Sequence, residues 1–279
     1  MNELRAELQK LYSDATKHSV YQNIPDFVSS ELGYSEAIDE TWRGDRPRLA
    51  YLKNTRPPLP NEMWLDFGAN TGFFTLSLAR EFPRSSFTAV EANPNHARFI
   101  ELVARYFALE NVEVIQQAVG LEQLDQLPQS HFMLHLNVLH HAGHDFDAHL
   151  VPNIDDFHEY ARRYLELLRH RTGGMLFQMG SNWGGDKAHP LVAMRDDSRK
   201  LEIFAGWLLG AGWDLHEIAY PHHDDSNGVL YDKLSEDACR AAGHSHQDNQ
   251  LIGTAIQAFD LDSFRGEFYR RPLFLCGVD

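Results

Sequence analysis

Cysteine is nearly absent from this chain: Cys239 and Cys276 are the two thiols in 279 residues. Two cysteines so far apart exclude a disulfide framework and a thiolate zinc motif, and they make a reducing cytoplasm the expected setting. No run of about 18 apolar residues occurs, so no membrane span is expected. The opening residues, Met-Asn-Glu-Leu-Arg-Ala-Glu, are charged and lack the apolar core of an export signal. Positive charge is also scarce. Lys and Arg number 25 against 40 Asp and Glu, a net charge of −15. A general nucleic-acid binder needs a basic face to neutralise phosphates, so that class is disfavoured. There is no internal repeat and no low-complexity tract. What is present is a 43 % hydrophobic content, enough to give one large domain with insertions, or a domain with a small appendage, a full core.

The most informative stretch is residues 63–91. An apolar run, Met63-Trp64-Leu65, ends at Asp66 and breaks into Gly68, Asn70, Thr71 and Gly72. Helical spacing follows in Phe73, Phe74, Leu76, Ala79 and Phe82, so the pattern predicts strand, tight turn, helix. The two glycines let the turn bend sharply and approach a ligand, and the first N–H groups of the helix favour a polar or anionic partner. A second strand, Phe87-Thr88-Ala89-Val90, ends at Glu91, 19 residues after Gly72. An acid there suits the two hydroxyls of a nucleoside ribose. Dinucleotides need G-x-G-x-x-G, but Asn70 and Phe73 hold the second and third glycine positions. Asp66 would repel a pyrophosphate and welcome a cation.

The stretch from Asp66 to Gly72 resembles the first motif, D-x-G-x-x-x-G, of class I S-adenosylmethionine (SAM)-dependent methyltransferases, and Glu91 matches their ribose-binding motif. The resemblance covers roughly residues 60–279. It implies an α/β fold with a seven-stranded, mostly parallel sheet, strand order 3-2-1-4-5-7-6 with the last strand antiparallel, and helices on both faces. It implies SAM as cofactor, with S-adenosylhomocysteine as product, held by Asp66, Gly68, Ala69, Asn70, Gly72, Glu91 and Ala92. Gln117 and Ala118, after the strand Val112-Glu113-Val114-Ile115, would meet the adenine. Asn137, after the strand His131–Leu136, stands where many relatives carry Asp beside the methyl group. An amide there can orient a substrate but cannot act as a carboxylate base.

His140 and His141 follow at once. A neutral imidazole near the donor could accept a substrate proton, so both join Asn137 as catalytic candidates. Adjacent histidines are expected to point apart, with one facing inward. The sixteen histidines invite a metal reading, at His140, His141, His144 and His149, at His222-His223-Asp224-Asp225, or at His244 and His246. Sequence spacing alone does not bring three ligands onto one ion, and no metal is expected.

Further on, the spacing predicts a helix over 154–168, a strand at 175–179, a glycine-rich loop at 180–185, a helix over 201–209 and a strand at 213–219. A last strand lies at 272–276. The gap 221–270 is too long for a hairpin loop and is expected to be a substrate-side insertion. Residues 1–59 are expected to form a helical cap, with residues 1–20 a polar helix. Its Arg43, Arg46, Arg48, Lys53 and Arg56 are candidates for an anionic contact. Lys17-His18-Ser19, Tyr21 and Gln22 resemble the N-terminal part of methyltransferases that cap bacterial polysaccharide chains. The expected function is methyl transfer to an oxygen or nitrogen of a small-molecule or glycan-type acceptor. The alternative is a SAM-binding regulatory or scaffold protein without catalysis.

Overall fold

A computed structural model describes residues 2–13, 22–34, 44–224, 228–242, 249–264 and 267–278. The chain divides into two compact units, Met1–Ala118 and Val119–Asp279.

In the first unit three parallel strands lie in the order β3-β2-β1: β1 (Met63–Phe67), β2 (Ser86–Glu91) and β3 (Val112–Gln116). Parallel neighbours require crossovers, and the helices supply them. The helix α4 (Phe73–Glu81) links β1 to β2, and α5 (Pro94–Tyr106) links β2 to β3. The start of α5 is the expected one. The Asn93 side chain accepts from the Asn95 N–H at 2.8 Å, and Pro94 fills the first helical position. Its buried face is Phe99, Ile100 and Val103. Three helices precede the strands: α1 (Asn2–Tyr12), which packs on α5, α2 (Asp26–Leu32) and α3 (Asp45–Thr55). The described part of the N-terminal helix thus ends at Tyr12. The segment from Lys17 to Tyr21, which carries most of the resemblance to chain-capping enzymes, lies outside the described residues, as does Arg43.

In the second unit the strands are β4 (Phe132–Leu136), β5 (Gly174–Gln178), β6 (Asp214–Asp224), β7 (Gly228–Lys233) and β8 (Leu273–Gly277). They lie in the order β4-β5-β8-β6-β7. The β4–β5 pair is parallel, and β8 runs antiparallel to both β5 and β6. The helices are α6 (Ile154–Leu168), α7 (Asp197–Gly210), α8 (Glu236–Ala242) and α9 (Asn249–Gln257). Asn153 caps α6 by accepting from the N–H of Asp155, and the helix buries Phe157, Ala161, Tyr164, Leu165 and Leu168.

The α/β class and the antiparallel last strand are as expected; the strand number is not. Among the described residues eight strands form in place of seven, because β6 runs on through Pro221 to Asp224 and pairs with β7. Pro221 lacks an N–H and suggests the end of a strand, yet it is accommodated opposite Tyr231 in this outer pair. Gly228, with φ of +82°, opens the returning strand. The 221–270 stretch therefore contains an edge hairpin strand and two helices. Among the described residues no helix is long and apolar enough to cross a membrane.

Candidate functional site

In the first unit the turn after β1 takes the sharp form the glycines predict. Gly68, Asn70 and Gly72 all have positive φ, at 71°, 53° and 78°. A Cβ on Gly72 would lie 2.7 Å from the Ile100 side chain, so this glycine is needed for close packing as well as for its backbone angle. Glu91 closes the arrangement. Its carboxylate accepts from the N–H of Asn70 at 2.7 Å and from that of Asn93 at 2.8 Å. It thereby ties the turn to the beginning of α5. Ala69 is buried and Ala92 exposed, and the N–H of Gln117 donates to the Glu91 carbonyl at 3.0 Å, which brings the ends of β2 and β3 together. Ala118 follows, exposed.

The first N–H of α4, on Phe73, has found a partner within the chain. It donates to the side-chain oxygen of Gln22 at 3.2 Å, and the Gln22 carbonyl accepts from the Tyr12 hydroxyl at 2.5 Å. Next in sequence, Asn23 donates from both its backbone and its side chain to Asp45. Asp45 in turn pairs with Arg48, which is buried against the Phe74 ring. Arg46 pairs with Asp26 at 2.8 Å on the surface. The anions that Arg46 and Arg48 meet here are side chains of the same unit.

Asp66 is buried and accepts from the Thr75 hydroxyl at 2.7 Å. Burial pushes its carboxyl up to about 6, outweighing the opposing hydrogen bonds from Thr75 and the positive charge of Arg48. In the unfolded chain the group titrates near 3.8, so the folded state holds the proton more tightly. The resulting stabilisation is complete below the lower value and is lost as pH rises through about 6. Asp66→Asn cannot ionise. It is expected to melt above the wild type at pH 8 and close to it at pH 4, with roughly 3 kcal/mol as the upper bound. A variant less stable at both pH values would show that the bond to Thr75 outweighs desolvation.

In the second unit Asn137 also adopts positive φ, +61°, directly after β4. Its N–H donates to the Gln178 carbonyl at 2.6 Å and its side-chain amide to the Gln178 side chain at 2.9 Å. Its side-chain oxygen accepts from Arg271 at 2.9 Å, and Gln178 donates back to the Arg271 carbonyl. Glu267 accepts from the N–H of Ser181 and from the Asn182 amide, holding the start of the glycine-rich loop.

His140 and His141 lie on one short 3-10 turn, Leu139–His141. This tight winding brings their ring centroids to 4.2 Å, so the expectation that they point apart is not met. His140 is buried, and its Nδ1 accepts from the Gly180 N–H at 3.3 Å. The neutral ring therefore carries its proton on Nε2. His141 differs: its Nδ1 stands 3.0 Å from an Asp145 carboxylate oxygen without hydrogen-bonding to it, and the nearby negative charge favours a proton on Nδ1, with Nε2 as the acceptor.

Solved structures similar to this chain include methyltransferases and a precorrin 8W decarboxylase. The bifunctional kinase-methyltransferase WbdD matches at 19 % identity and a TM-score of 0.42, over 66 % of this chain and 37 % of its own. EvdMO1 matches at 19 % identity and a TM-score of 0.47, over 83 % of this chain and 46 % of its own. The precorrin-6y C5,15-methyltransferase of Geobacter metallireducens GS-15 matches at 12 % identity and a TM-score of 0.46, over 86 % of this chain and 92 % of its own. This chain thus spans just over a third of the WbdD chain it matches. No protein-family model and no curated protein sequence matches it.

Among the described residues no three His, Cys, Asp or Glu side chains gather into a group able to hold a metal. His244, His246 and Asp225 lie outside those residues. Sequence reasoning missed Thr75, Gln178, Glu267 and Arg271, and named Gln22 only within the segment that resembles chain-capping enzymes. Thr75 could have been found, as a hydroxyl inside the apolar run Phe73-Phe74-Thr75-Leu76. So could Arg270-Arg271, two cations directly before an apolar strand. The partners of Gln22 and Glu267 carry no local signal, because they lie 51 and 86 residues away.

Proposed function

We propose that this chain is a SAM-dependent methyltransferase acting on an oxygen or nitrogen nucleophile of a small-molecule or glycan-type acceptor. The observation that supports it best is the Glu91 carboxylate. It is fixed at the end of β2 by two backbone N–H groups, one of them on the Gly68–Gly72 turn. A preset carboxylate beside a turn of three left-handed residues fits a nucleoside, whose ribose offers two hydroxyl donors. The turn offers a further unsatisfied group: the Thr71 hydroxyl is buried with no hydrogen-bond partner among the described residues. On this reading Glu91 would hold the ribose, the turn backbone would pass beside it, Gln117 would meet the base and Asp66 the cationic amino-acid end. Residues 1–59 would act as a cover, fastened at Gln22.

When bound, SAM supplies an electrophilic methyl group. The chain's own work is alignment and proton handling. For a hydroxyl acceptor, His141 would take the proton at Nε2, with the Asp145 charge near the other ring nitrogen. Asn137 would orient, its amide fixed by Gln178 and Arg271.

Calorimetric titration with SAM, S-adenosylhomocysteine and NAD tests the cofactor assignment. Binding of the first two, with NAD absent or far weaker, is the expected result, and equal affinity for NAD overturns the reading of Asn70 and Phe73. Release of S-adenosylhomocysteine with any acceptor separates an enzyme from a SAM-binding regulator.

A further inference from the structure

We propose that a cavity on the β6–β7 hairpin is a binding site for an organic amine carrying more than one ammonium group. It lies wholly within the second unit and uses none of the residues assigned above to the cofactor or to methyl transfer, so it stands apart from the methyltransferase reading.

The cavity has a volume of about 420 Å³ and is lined by His222, His223, Asp232, Ala258, Phe259 and Asp260. That lies within the range of small-molecule sites, roughly 300–1,000 Å³. The extension of β6 supplies the two histidines, β7 supplies Asp232, and the segment after α9 supplies the rest. Residues directly opposite in an antiparallel ladder share a face, and Asp232 is opposite Tyr220. Tyr220 and His222, two apart on β6, share that face as well. Phe259 packs on it, its ring centroid 5.9 Å from that of Tyr220 and 6.4 Å from that of His222. Imidazole, carboxylate and aromatic ring thus meet on one side of the hairpin. The His223 ring is stacked on Phe264 at 4.2 Å, which holds it in place.

The negative charge here is unmatched. Asp232 accepts from the N–H of Lys233 at 2.8 Å, but the Lys233 ammonium goes to Glu217, 3.4 Å away. Asp260 holds Ser263 through its backbone carbonyl, which accepts from the N–H at 3.0 Å and from the hydroxyl at 2.7 Å. Arg195 and Arg270 both meet Asp262, two residues further on. Among the described residues neither Asp232 nor Asp260 has an ion-pair partner, and no Lys or Arg lines the cavity. His222 adds an acceptor, since its Nδ1 is buried with no hydrogen-bond partner among the described residues. A buried ring nitrogen in that state is costly unless a ligand satisfies it.

These groups suit an ammonium ion on an organic frame. A primary ammonium has three N–H donors and no acceptor, the complement of a wall made of acceptors. Phe259 gives the adjoining carbon chain an apolar surface and offers the charge a ring face. The His222-His223 pair invites a metal in the sequence, but no three His, Cys, Asp or Glu side chains among the described residues gather into a group able to hold one. An anion is opposed by both carboxylates. Two unmatched carboxylates on one cavity favour two positive charges, which a diamine supplies and a monoamine does not.

Nuclear magnetic resonance titration of the full chain with 1,4-diaminobutane, butylamine and 1,4-butanediol tests the assignment. The diamine is expected to shift the His222 and Phe259 ring signals saturably. Lacking one exposed ion pair, butylamine should bind roughly two- to fivefold more weakly, and the diol should not bind. Asp232→Asn and Asp260→Asn should each weaken diamine binding by a similar factor, and together they should abolish the His222 shift. Both residues are exposed, so these variants should melt as the wild type does. Phe259→Leu, which keeps an apolar wall, should weaken both amines alike. An equal response to the diol would make the cavity indifferent to charge and overturn the proposal. So would an absence of any shift at His222 and Phe259. Shifts spread over acidic residues elsewhere, and unchanged in the double Asn variant, would also overturn it, as loose attraction to a chain of net charge −15. None of these readouts uses SAM, so the site and the cofactor assignment stand or fall separately.

Discussion

Glu91→Ala is expected to weaken S-adenosylhomocysteine binding at least a hundredfold. Two hydrogen bonds from ribose hydroxyls to a carboxylate are worth about 1.5–3 kcal/mol each, and the lower figure for both already gives that factor. The sequence assigns Glu91 to the ligand. The structure adds a second role, because the Asn70 and Asn93 N–H groups lose their acceptor in the variant. A loss of about 1–3 kcal/mol in apo stability should therefore accompany the loss of affinity. Glu91→Gln should lie between the two, since its one oxygen can serve only one of the two N–H groups and its amide nitrogen opposes the other. Calorimetry on each variant with urea unfolding alongside separates the contributions. Normal affinity with a large stability loss would make Glu91 a structural clamp.

His141→Gln is expected to lower the methyl-transfer rate constant about a hundredfold for a hydroxyl acceptor, with SAM binding unchanged. The contact between Nδ1 and Asp145 is what singles out His141 over His140. Asp145→Asn should reproduce part of the loss by removing the charge that favours the proton on Nδ1. The wild-type rate should fall in acid as the imidazole becomes protonated, and that limb should vanish in His141→Gln. If the acceptor is a free amine or another group that needs no deprotonation, His141→Gln keeps its turnover and the acid limb is missing. Alignment by Asn137 and the 180–185 loop would then be the protein's contribution.

Much of the first unit was legible because its signals are local. Strand β1, the glycine turn, α4 and the acid at Glu91 lie within 29 consecutive residues, and each step has its own composition. The cap at Asn93-Pro94 is equally local. Legibility failed where partners are far apart or where one residue sends the wrong message. Pro221 suggests the end of a strand and hid the continuation of β6. Gln22 completes the start of α4 from 51 residues away, and Glu267 holds Ser181 from 86 residues away. The histidine pair was misjudged for a further reason. Sequence does not show that residues 139–141 wind into a 3-10 turn, and that winding sets the ring directions.

The place of β8 has a consequence for the order in which the chain is made. It lies between β5 and β6, yet the ribosome finishes β6 and β7 first. From Asp224 to Gly277 some fifty residues must be translated, several seconds at about 5–20 residues per second. Throughout that interval β5 and β6 each present a bare edge to the same gap, able to join one another in the wrong register or to recruit a second nascent chain. Ribosome-held chains stopped before Leu273 should be readily cleaved within residues 119–270, and chains extended past Gly277 with a linker should resist. Equal resistance would show that the interior strand is added to a sheet already closed. The finished second unit owes its continuity to a strand that arrives after the place for it has stood open, and a chaperone that shields strand edges would have its greatest effect in that window.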